Sequence, residues 1–264
     1  MTIESMTNPP KSAFTRIAAD LRPPAARITL QNPPLNVIDV RMMEELRAAL
    51  EQIETRPEIS AIVFAGSERA FSSGVEIAEH TADKIRNTLA AFHSVIRSVV
   101  ASKKLTVACV RRHCLGGGAE LALMCDVVFA SPDSLWGFPE IKLACYPPVA
   151  SVALSAIVGQ KLAAEMVLTG RTLSGQEALA AGLVNGIADD PETLVQECIQ
   201  RVAQLSSAAL AVAKKAFYAW DAIHFDKGLA RAEQIYFDEL MKTADAQEGI
   251  TAHMERRRPV WTGK

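Results

Sequence analysis

The chain has 264 residues, of which 49% are hydrophobic and 22% are charged, with 28 basic against 30 acidic side chains and a formal net charge of -2. A chain of this length forms one large domain, or one domain with a smaller appendage, and buries a sizeable core without disulfide bonds. The balanced charge gives no long-range attraction to phosphate backbones or anionic membranes, which argues against nucleic-acid binding and membrane attachment.

The five cysteines are odd in number, lie mostly in apolar runs and show no CxxC or Cys/His metal spacing. This usage predicts reduced core cysteines in a cytoplasmic protein and no structural metal site. No window is apolar for long enough to cross a bilayer, and we interpret residues 1–12 as a loose N-terminal tail.

Strands and helices are predicted to alternate along the first two thirds of the chain. Asp39 is a predicted N-cap of a helix that Pro57 stops, and the almost wholly apolar run at 59–65 predicts a strand buried on both faces. Further strands are predicted at 26–30, 106–110 and 127–130, and a further helix at 82–101. Such alternation favours right-handed crossovers and a largely parallel sheet, so the fold class is α/β.

After Gly159 the pattern is nearly all helical. We therefore predict an α/β core over residues 13–200 and a helical region over residues 201–264. The helices of this region carry apolar side chains such as Phe217, Phe225 and Tyr236. These side chains are expected to pack either on a neighbouring subunit or on the core of their own chain, and the sequence leaves both open.

Three segments carry polar chemistry, and the first is residues 70–77. A turn of small residues around Gly74, directly after a buried strand, places backbone N–H groups where open α/β sheets bind ligands. Alternatively, Gly74 simply supplies the positive φ of a strand-to-loop transition.

The second segment, residues 115–126, opens a helix with three consecutive glycines followed by Glu120. Free N–H groups and the positive end of the helix dipole could hold a phosphate or an oxyanion. It lacks the Lys-Ser/Thr of a P-loop and the spacing of a dinucleotide fingerprint. A carboxylate repels phosphate but moves protons near a polarised carbonyl, which favours the oxyanion; otherwise Glu120 is a helix-start residue stabilised by the dipole.

The third segment, residues 136–143, places Glu140 between Pro139 and Ile141 in apolar surroundings. An acidic residue in such a context is either exposed by the turn or held with a raised pKa.

Together these segments resemble the crotonase superfamily, the enoyl-CoA hydratase/isomerase family. FSSGVEI at 71–77 is similar to its FxxGxD motif, LGGGAELALMCD at 115–126 to its GGG-x-E helix start, and FPEIKL at 138–143 to its second glutamate motif. VLTGRTLSGQEALAAGLVN at 167–185 resembles a further stretch of the family, and the resemblance covers residues 28–189. It implies a crotonase (ClpP-like) spiral fold of repeated ββα units with a C-terminal helical trimerisation region.

The resemblance also implies a mechanism. Members of the family bind acyl-CoA thioesters and stabilise an enolate on the thioester oxygen with two backbone N–H groups, which by motif are those of Val75 and Gly117. Glu120 and Glu140 match the two glutamates that hold one water in the hydratases. Retention of both favours water addition to a conjugated thioester, and the alternatives are a double-bond isomerase or a non-catalytic member that binds RNA or protein.

The resemblance further implies no cofactor, since the substrate itself carries coenzyme A, and a homotrimer or homohexamer. The contacts expected with coenzyme A come from residues before the first motif and within it: Leu35, Asn36, Val37, Ser72, Ser73 and Ile77.

This chain departs from the family pattern at Glu76, where Asp is common, and at residues 144–151, where a glycine-rich loop is usual. The stretch KLACYPPV resembles a subgroup that hydrates cyclic dienoyl thioesters such as cyclohexa-1,5-diene-1-carbonyl-CoA in anaerobic aromatic degradation. Tyr146, Pro148 and Val149 are then expected to form a flat apolar wall of the acyl pocket.

Overall fold

The structure, a computed structural model, describes residues 14–263 without the side chains of residues 220–223; the predicted tail at 1–12 lies outside the described residues. The strands in this part of the chain are β1 (Ile17–Asp20), β2 (Ala25–Leu30), β3 (Ala61–Ala65), β4 (Ala70–Ser72), β5 (Leu105–Val110), β6 (His113–Leu115), β7 (Val127–Ala130), β8 (Leu135–Gly137), β9 (Thr172–Ser174) and β10 (Gly186–Ile187). The helices are α1 (Val40–Glu54), α2 (Ile85–Ala101), α3 (Gly117–Leu123), α4 (Pro148–Val158), α5 (Gln160–Thr169), α6 (Gly175–Ala180), α7 (Pro191–Ala203), α8 (Ser207–Phe217), α9 (Ala219–Asp238) and α10 (Ala244–Met254).

The strands form two sheets. The larger sheet has the order β1-β2-β3-β5-β7-β10, and the smaller one has the order β4-β6-β8-β9. Neighbouring strands of the larger sheet are parallel apart from the β1/β2 pair, and β4, β6 and β8 are parallel to one another. The predicted α/β class and largely parallel sheet are thus confirmed.

The predicted elements of the core agree with the structure to within a few residues. Asp39 caps α1 as expected, since its side chain accepts a hydrogen bond from the Met42 N–H at 2.8 Å. All five residues of β3 are buried, as expected for a strand covered on both faces. The small sheet is not predictable from the sequence, because its strands have three residues each, too few to show a period of two.

The region after Gly159 contains two short strands, β9 and β10, besides its helices. Of the apolar side chains predicted there, Phe225 and Tyr236 are buried against the core of their own chain, at 8% and 1% exposure, whereas Phe217 is 75% exposed. Packing of α9 on its own chain is therefore established, and the proposed subunit interface remains a prediction. No helix of the described residues is long and apolar enough to span a membrane.

A buried carboxylate ties the start of β1 to α1. Glu45, which is 4% exposed, accepts hydrogen bonds from the backbone N–H groups of Thr15 and Arg16 and pairs with the Arg41 guanidinium. Burial opposes ionisation of this carboxyl, but the amide and guanidinium donors outweigh it and lower the pKa of Glu45 to about 2.

We expect this carboxylate to make stability depend on pH. Because the pKa of Glu45 is lowered from 4.5 in the folded state, its contribution is present above pH 4.5 and is lost as the pH falls towards 2. Glu45→Gln should reduce the free energy of unfolding at neutral pH by on the order of 3 kcal/mol and by much less near pH 2. Urea unfolding across this range measures the difference; Glu51→Gln, whose side chain is 64% exposed, should show none.

Candidate active site

Three chain segments meet because three parallel strands of the small sheet end side by side. Along the chain, β3, β5 and β7 of the larger sheet are each followed directly by a strand of the smaller sheet, which is β4, β6 and β8, respectively. Ser72 is in register with Cys114, and Cys114 with Trp136, so the residues after these strands are neighbours. Those residues are the three segments singled out in the sequence: the turn at 73–77, the glycine triplet, and the segment around Glu140.

The backbone of Val75 is aimed by its pairing with residues 35–38. Ile38 donates to the Gly74 carbonyl at 2.8 Å and accepts from the Glu76 N–H at 3.0 Å, which is the bond pattern of a parallel bridge centred on Val75. In such a bridge the N–H of the central residue points away from the partner strand. The Val75 N–H thus faces the opposite side, where it has no acceptor among the described residues.

The glycine triplet brings a second amide next to Val75. Gly117 is the first residue of α3, so its N–H has no partner within the helix. A Cβ on Gly117 would lie 2.6 Å from Cγ2 of Val75, and one on Gly118 would lie 2.5 Å from Cβ of Ser72. Glycine is required at both positions because of this close approach, and two free amide donors on one cavity can hold an oxyanion.

Glu120, a residue of α3, is buried at 3% exposure, and its carboxyl group lies at the start of α4. Its Oε1 accepts a hydrogen bond from the Ala150 N–H at 3.0 Å, and the nearby Val149 N–H further favours the charged form and lowers the pKa. The carboxyl therefore satisfies amide donors in the first turn of α4, where the helix dipole also favours negative charge.

Glu140 lies in a short 3₁₀ segment, Pro139–Leu143, that follows β8. Its Oε1 lies over Gly116, where an added Cβ would approach to 2.7 Å. Its Oε2 is buried and has no hydrogen-bond partner within residues 14–263. The two carboxyl groups thus have different surroundings: an amide of α4 holds one oxygen of Glu120, whereas Oε2 of Glu140 has no partner among the described residues.

The electrostatics follow from that difference. Burial, and then the neighbouring charge of Glu120, raise the pKa of Glu140. Burial also raises the pKa of Glu120, but the Ala150 amide and the charge of His93 oppose the shift. A buried pair of this kind holds one proton between two carboxyls, and the weaker compensation at Glu140 places that proton there.

All four residues assigned to catalysis line one cavity. Ser73 and Ile77 of the predicted coenzyme A contacts, and Tyr146 and Pro148 of the predicted acyl wall, line the same cavity. Pro148 is also the first residue of α4, a position where the missing N–H of proline costs nothing. The structure thus brings together eight of the residues singled out in the sequence.

The remaining predicted residues do not line the cavity. The Asn36 side chain is buried and donates to the carbonyl oxygens of Ala70 and Phe71 at 2.9 and 3.2 Å. Ser72 accepts from the Gly74 N–H, and Val149 presents its N–H to Glu120. Leu35 and Val37 lie on the segment that pairs with 73–76. Their contacts with coenzyme A, and that of Val149 with the acyl group, stay predictions.

Several cavity residues carried no recognisable sequence signal. Leu89 and Phe92 come from α2, Tyr236 from α9 and Ile250 from α10. His93, next to Phe92 on α2, is also buried but does not line the cavity; its Nδ1 lies 2.5 Å from Oε1 of Glu233. The helical spacing of apolar residues marks such helices as amphipathic, but it does not say which side chains meet a cavity formed with distant parts of the chain.

The fold, the amide pair and the two glutamates define a crotonase-type enzyme, and the comparisons agree. A model of the enoyl-CoA hydratase/isomerase family matches residues 24–264, and the chain belongs to that family. It is an enzyme of the enoyl-CoA hydratase class, a hydro-lyase.

Two curated relatives illustrate the similarity. A cyclohexa-1,5-dienecarbonyl-CoA hydratase of Thauera aromatica is 32% identical over 239 residues, which are 90% of this chain and 93% of the relative. A probable enoyl-CoA hydratase of Rhizobium meliloti is 36% identical over 237 residues, which are 88% of this chain and 91% of the relative.

A solved structure gives the same result for the fold. The crystal structure of an enoyl-CoA hydratase from Mycobacterium avium subsp. paratuberculosis superposes with a TM-score of 0.84 and 30% sequence identity, covering 94% of this chain and 99% of that one.

Gly116 provides a test of the site geometry. Gly116→Ala introduces strain at φ +52° and a Cβ 2.7 Å from Oε1 of Glu140, so it should displace that carboxyl and lower turnover of an enoyl-CoA by about 100-fold. Gly159→Ala is the matched control, because Gly159 also has a positive φ, +79°, but open space around its Cβ. Both variants should lose about 1–3 kcal/mol in urea unfolding, and equal loss of turnover in the two would contradict this placement of Glu140.

Proposed function

We propose that this enzyme adds water to a conjugated enoyl- or dienoyl-CoA thioester. One observation carries the proposal: two free backbone amides and two unequal carboxyl groups face one cavity. The amides suit a charge that develops on a thioester oxygen, and the carboxyl pair suits transfer of protons to and from one water molecule.

For a 2-enoyl thioester the steps follow from these positions. The thioester oxygen accepts hydrogen bonds from the N–H groups of Val75 and Gly117. A water oxygen bonds to C3 while its proton passes to the Glu120 carboxylate, and the π electrons of the double bond move through C2 onto the thioester oxygen. The enolate then collapses as C2 takes the proton of Glu140, and exchange between the two carboxyls through solvent restores the starting state.

The environments of the carboxyls support this division of roles. Glu120 accepts amide hydrogen bonds that stabilise its charged form, which suits a general base. Glu140 has an unpartnered buried oxygen and a raised pKa, which suits a general acid. Two amide donors aimed at an enolate oxygen supply on the order of several kcal/mol of transition-state stabilisation.

We further propose that the substrate is a cyclic dienoyl thioester of the cyclohexa-1,5-diene-1-carbonyl-CoA type. Two features support it: the relative from Thauera aromatica carries that activity in its name, and the rigid Pro147–Pro148 turn with Tyr146 presents a flat side chain to the cavity. Coenzyme A is expected to lie along residues 72–77 and the neighbouring segment 35–37. We also propose that the enzyme assembles as a homotrimer or homohexamer and that it is located in the cytoplasm.

Glutamine variants of the two carboxyls test the mechanism. Glu120→Gln and Glu140→Gln should each lower kcat for hydration by about 10²–10⁴-fold, because each removes one proton-transfer group while keeping size and fold. Loss of the ultraviolet absorbance of the conjugated thioester measures the rate. Glu68→Gln is the control, since the Glu68 side chain is 87% exposed and lies outside the cavity.

The same variants separate hydration from the alternatives. A double-bond isomerase would lose activity with Glu140→Gln and retain most of it with Glu120→Gln. A non-catalytic member of the family would turn over none of a panel of straight, branched and cyclic enoyl-CoA thioesters. If it also bound RNA with an affinity that falls with salt, it would be an RNA-binding member. Full activity of both glutamine variants would exclude the two-carboxyl mechanism.

The pH profile is a second test. Glu140 must be protonated to act as the acid, and its pKa is raised to about 8, so kcat/KM should fall as the pH rises through about 8. The opposite limb, at low pH, reports protonation of the base Glu120. A value of kcat/KM that stays constant well above pH 8 would show that Glu140 does not deliver a proton.

A further inference from the structure

One wall of the cavity is made by side chains that have almost no contact with solvent. Tyr236 on α9 is 1% exposed, Ile250 on α10 is 4% exposed, and Cys145, in the segment that follows Glu140, is 4% exposed. Leu89 and Phe92 of α2 continue this surface. The cavity is therefore closed on this side by the chain's own C-terminal helices.

Tyr236 is fixed in the wall by contacts with the segment that follows Glu140. It packs with Cys145 in one buried apolar cluster, where its phenol interacts with the Cys145 thiol. Its ring lies edge-on to that of Tyr146, with 5.1 Å between centroids. The Tyr146 hydroxyl in turn donates to the Ala232 carbonyl oxygen at 2.6 Å, one turn earlier on α9. Both ends of this aromatic pair are thus anchored.

The helix that carries Tyr236 is also held from the side of α2. Oε1 of Glu233 lies at hydrogen-bond distance, 2.5 Å, from Nδ1 of His93 on α2. The Arg86 guanidinium, also on α2, lies 4.1 Å from the centroid of the Phe237 ring. With α9 held from both sides, the wall cannot retreat without breaking buried contacts. A ligand that reaches it must fit the space in front of it.

The wall lies next to the proton donor. The Cys145 N–H donates to the Glu140 carbonyl oxygen at 3.0 Å, and the Glu140 carboxyl lies within electrostatic range of both the Cys145 thiol and the Tyr236 phenol. In the proposed reaction the Glu140 carboxyl donates its proton to C2 of the acyl group. The acyl carbons beyond C3 therefore have to lie between the two glutamates and this wall.

We propose that Tyr236 is the residue that limits acyl length, so that the enzyme accepts compact acyl groups, short chains or a single ring, and rejects medium-length straight chains. This inference rests on the proposed hydration at the same site and names its substrate class. A methylene group that fits a pocket raises kcat/KM by roughly 10–200-fold. A methylene group that meets a rigid wall lowers kcat/KM by a similar factor.

Shortening the side chain should move this limit. Wild-type enzyme is expected to hydrate crotonyl-CoA and cyclohexa-1,5-diene-1-carbonyl-CoA with kcat/KM at least about ten times that for trans-2-octenoyl-CoA. Tyr236→Leu should raise the octenoyl-to-crotonyl ratio of kcat/KM by about ten-fold or more. Tyr236→Met is the substitute if the leucine variant does not fold, because methionine fills irregular space.

Two controls separate size from general damage. Tyr236→Phe retains the ring and removes the hydroxyl, so the ratio should stay at its wild-type value. Phe237→Leu makes a comparable change at the next residue of α9, which packs against Arg86 and does not line the cavity, and it should also leave the ratio unchanged. Damage to the fold would instead lower kcat/KM for both substrates together, and thermal unfolding of each variant measures it.

Binding gives a readout that does not need turnover. Isothermal titration with the saturated butyryl-CoA and octanoyl-CoA should show the wild type preferring the shorter chain and Tyr236→Leu losing that preference. A folded Tyr236→Leu or Tyr236→Met with wild-type ratios would overturn the assignment of Tyr236. If the wild-type enzyme hydrated neither thioester but still bound the shorter acyl-CoA more tightly, the proposed hydration would be wrong. The assignment of Tyr236 as the limit on acyl length would still be supported.

Discussion

The active site depends on the parallel pairing of three short strands. Because β4, β6 and β8 are hydrogen-bonded in register, the segments that follow them must emerge at the same edge, and each brings one component: the Val75 amide, the Gly117 amide with Glu120, and Glu140. Each strand has three residues and follows a longer buried strand of the larger sheet. The rigid sheet therefore sets the spacing of the chemical groups, and loop flexibility contributes little to it.

The two glutamates show how a fold can give identical side chains different chemistry. One carboxyl is placed against the first turn of a helix, whose amides compensate its burial; the other has a buried oxygen with no compensation in the described protein. The first turn of the helix that starts at Pro148 stabilises the charged form of Glu120, and the residues just before it line the cavity. The loop that differs from the family pattern is thus coupled in structure to Glu120, the proposed base.

Local patterns in the sequence were sufficient for the elements and the centre of the site. Four features are each visible within a few consecutive residues: the cap at Asp39, the buried run in β3, the glycine triplet and the two glutamates. The structure brings the glycine triplet and both glutamates together at one cavity. What could not be predicted depends on contacts distant in sequence. The strands of the small sheet are too short to carry a period, and Tyr236 meets Cys145 only because α9 folds back across some ninety residues of chain.

The contribution of α9 and α10 to the cavity has a consequence for how the enzyme matures. The amide pair and both carboxyls come from residues 75–140 and the amide that holds Glu120 from residue 150, but residues that close the cavity lie at 236 and 250. A chain emerging from the ribosome would therefore expose its reacting groups before the residues that close the cavity have been made. If Tyr236 sets the limit on acyl length as proposed, a molecule with misdocked final helices would lose that limit.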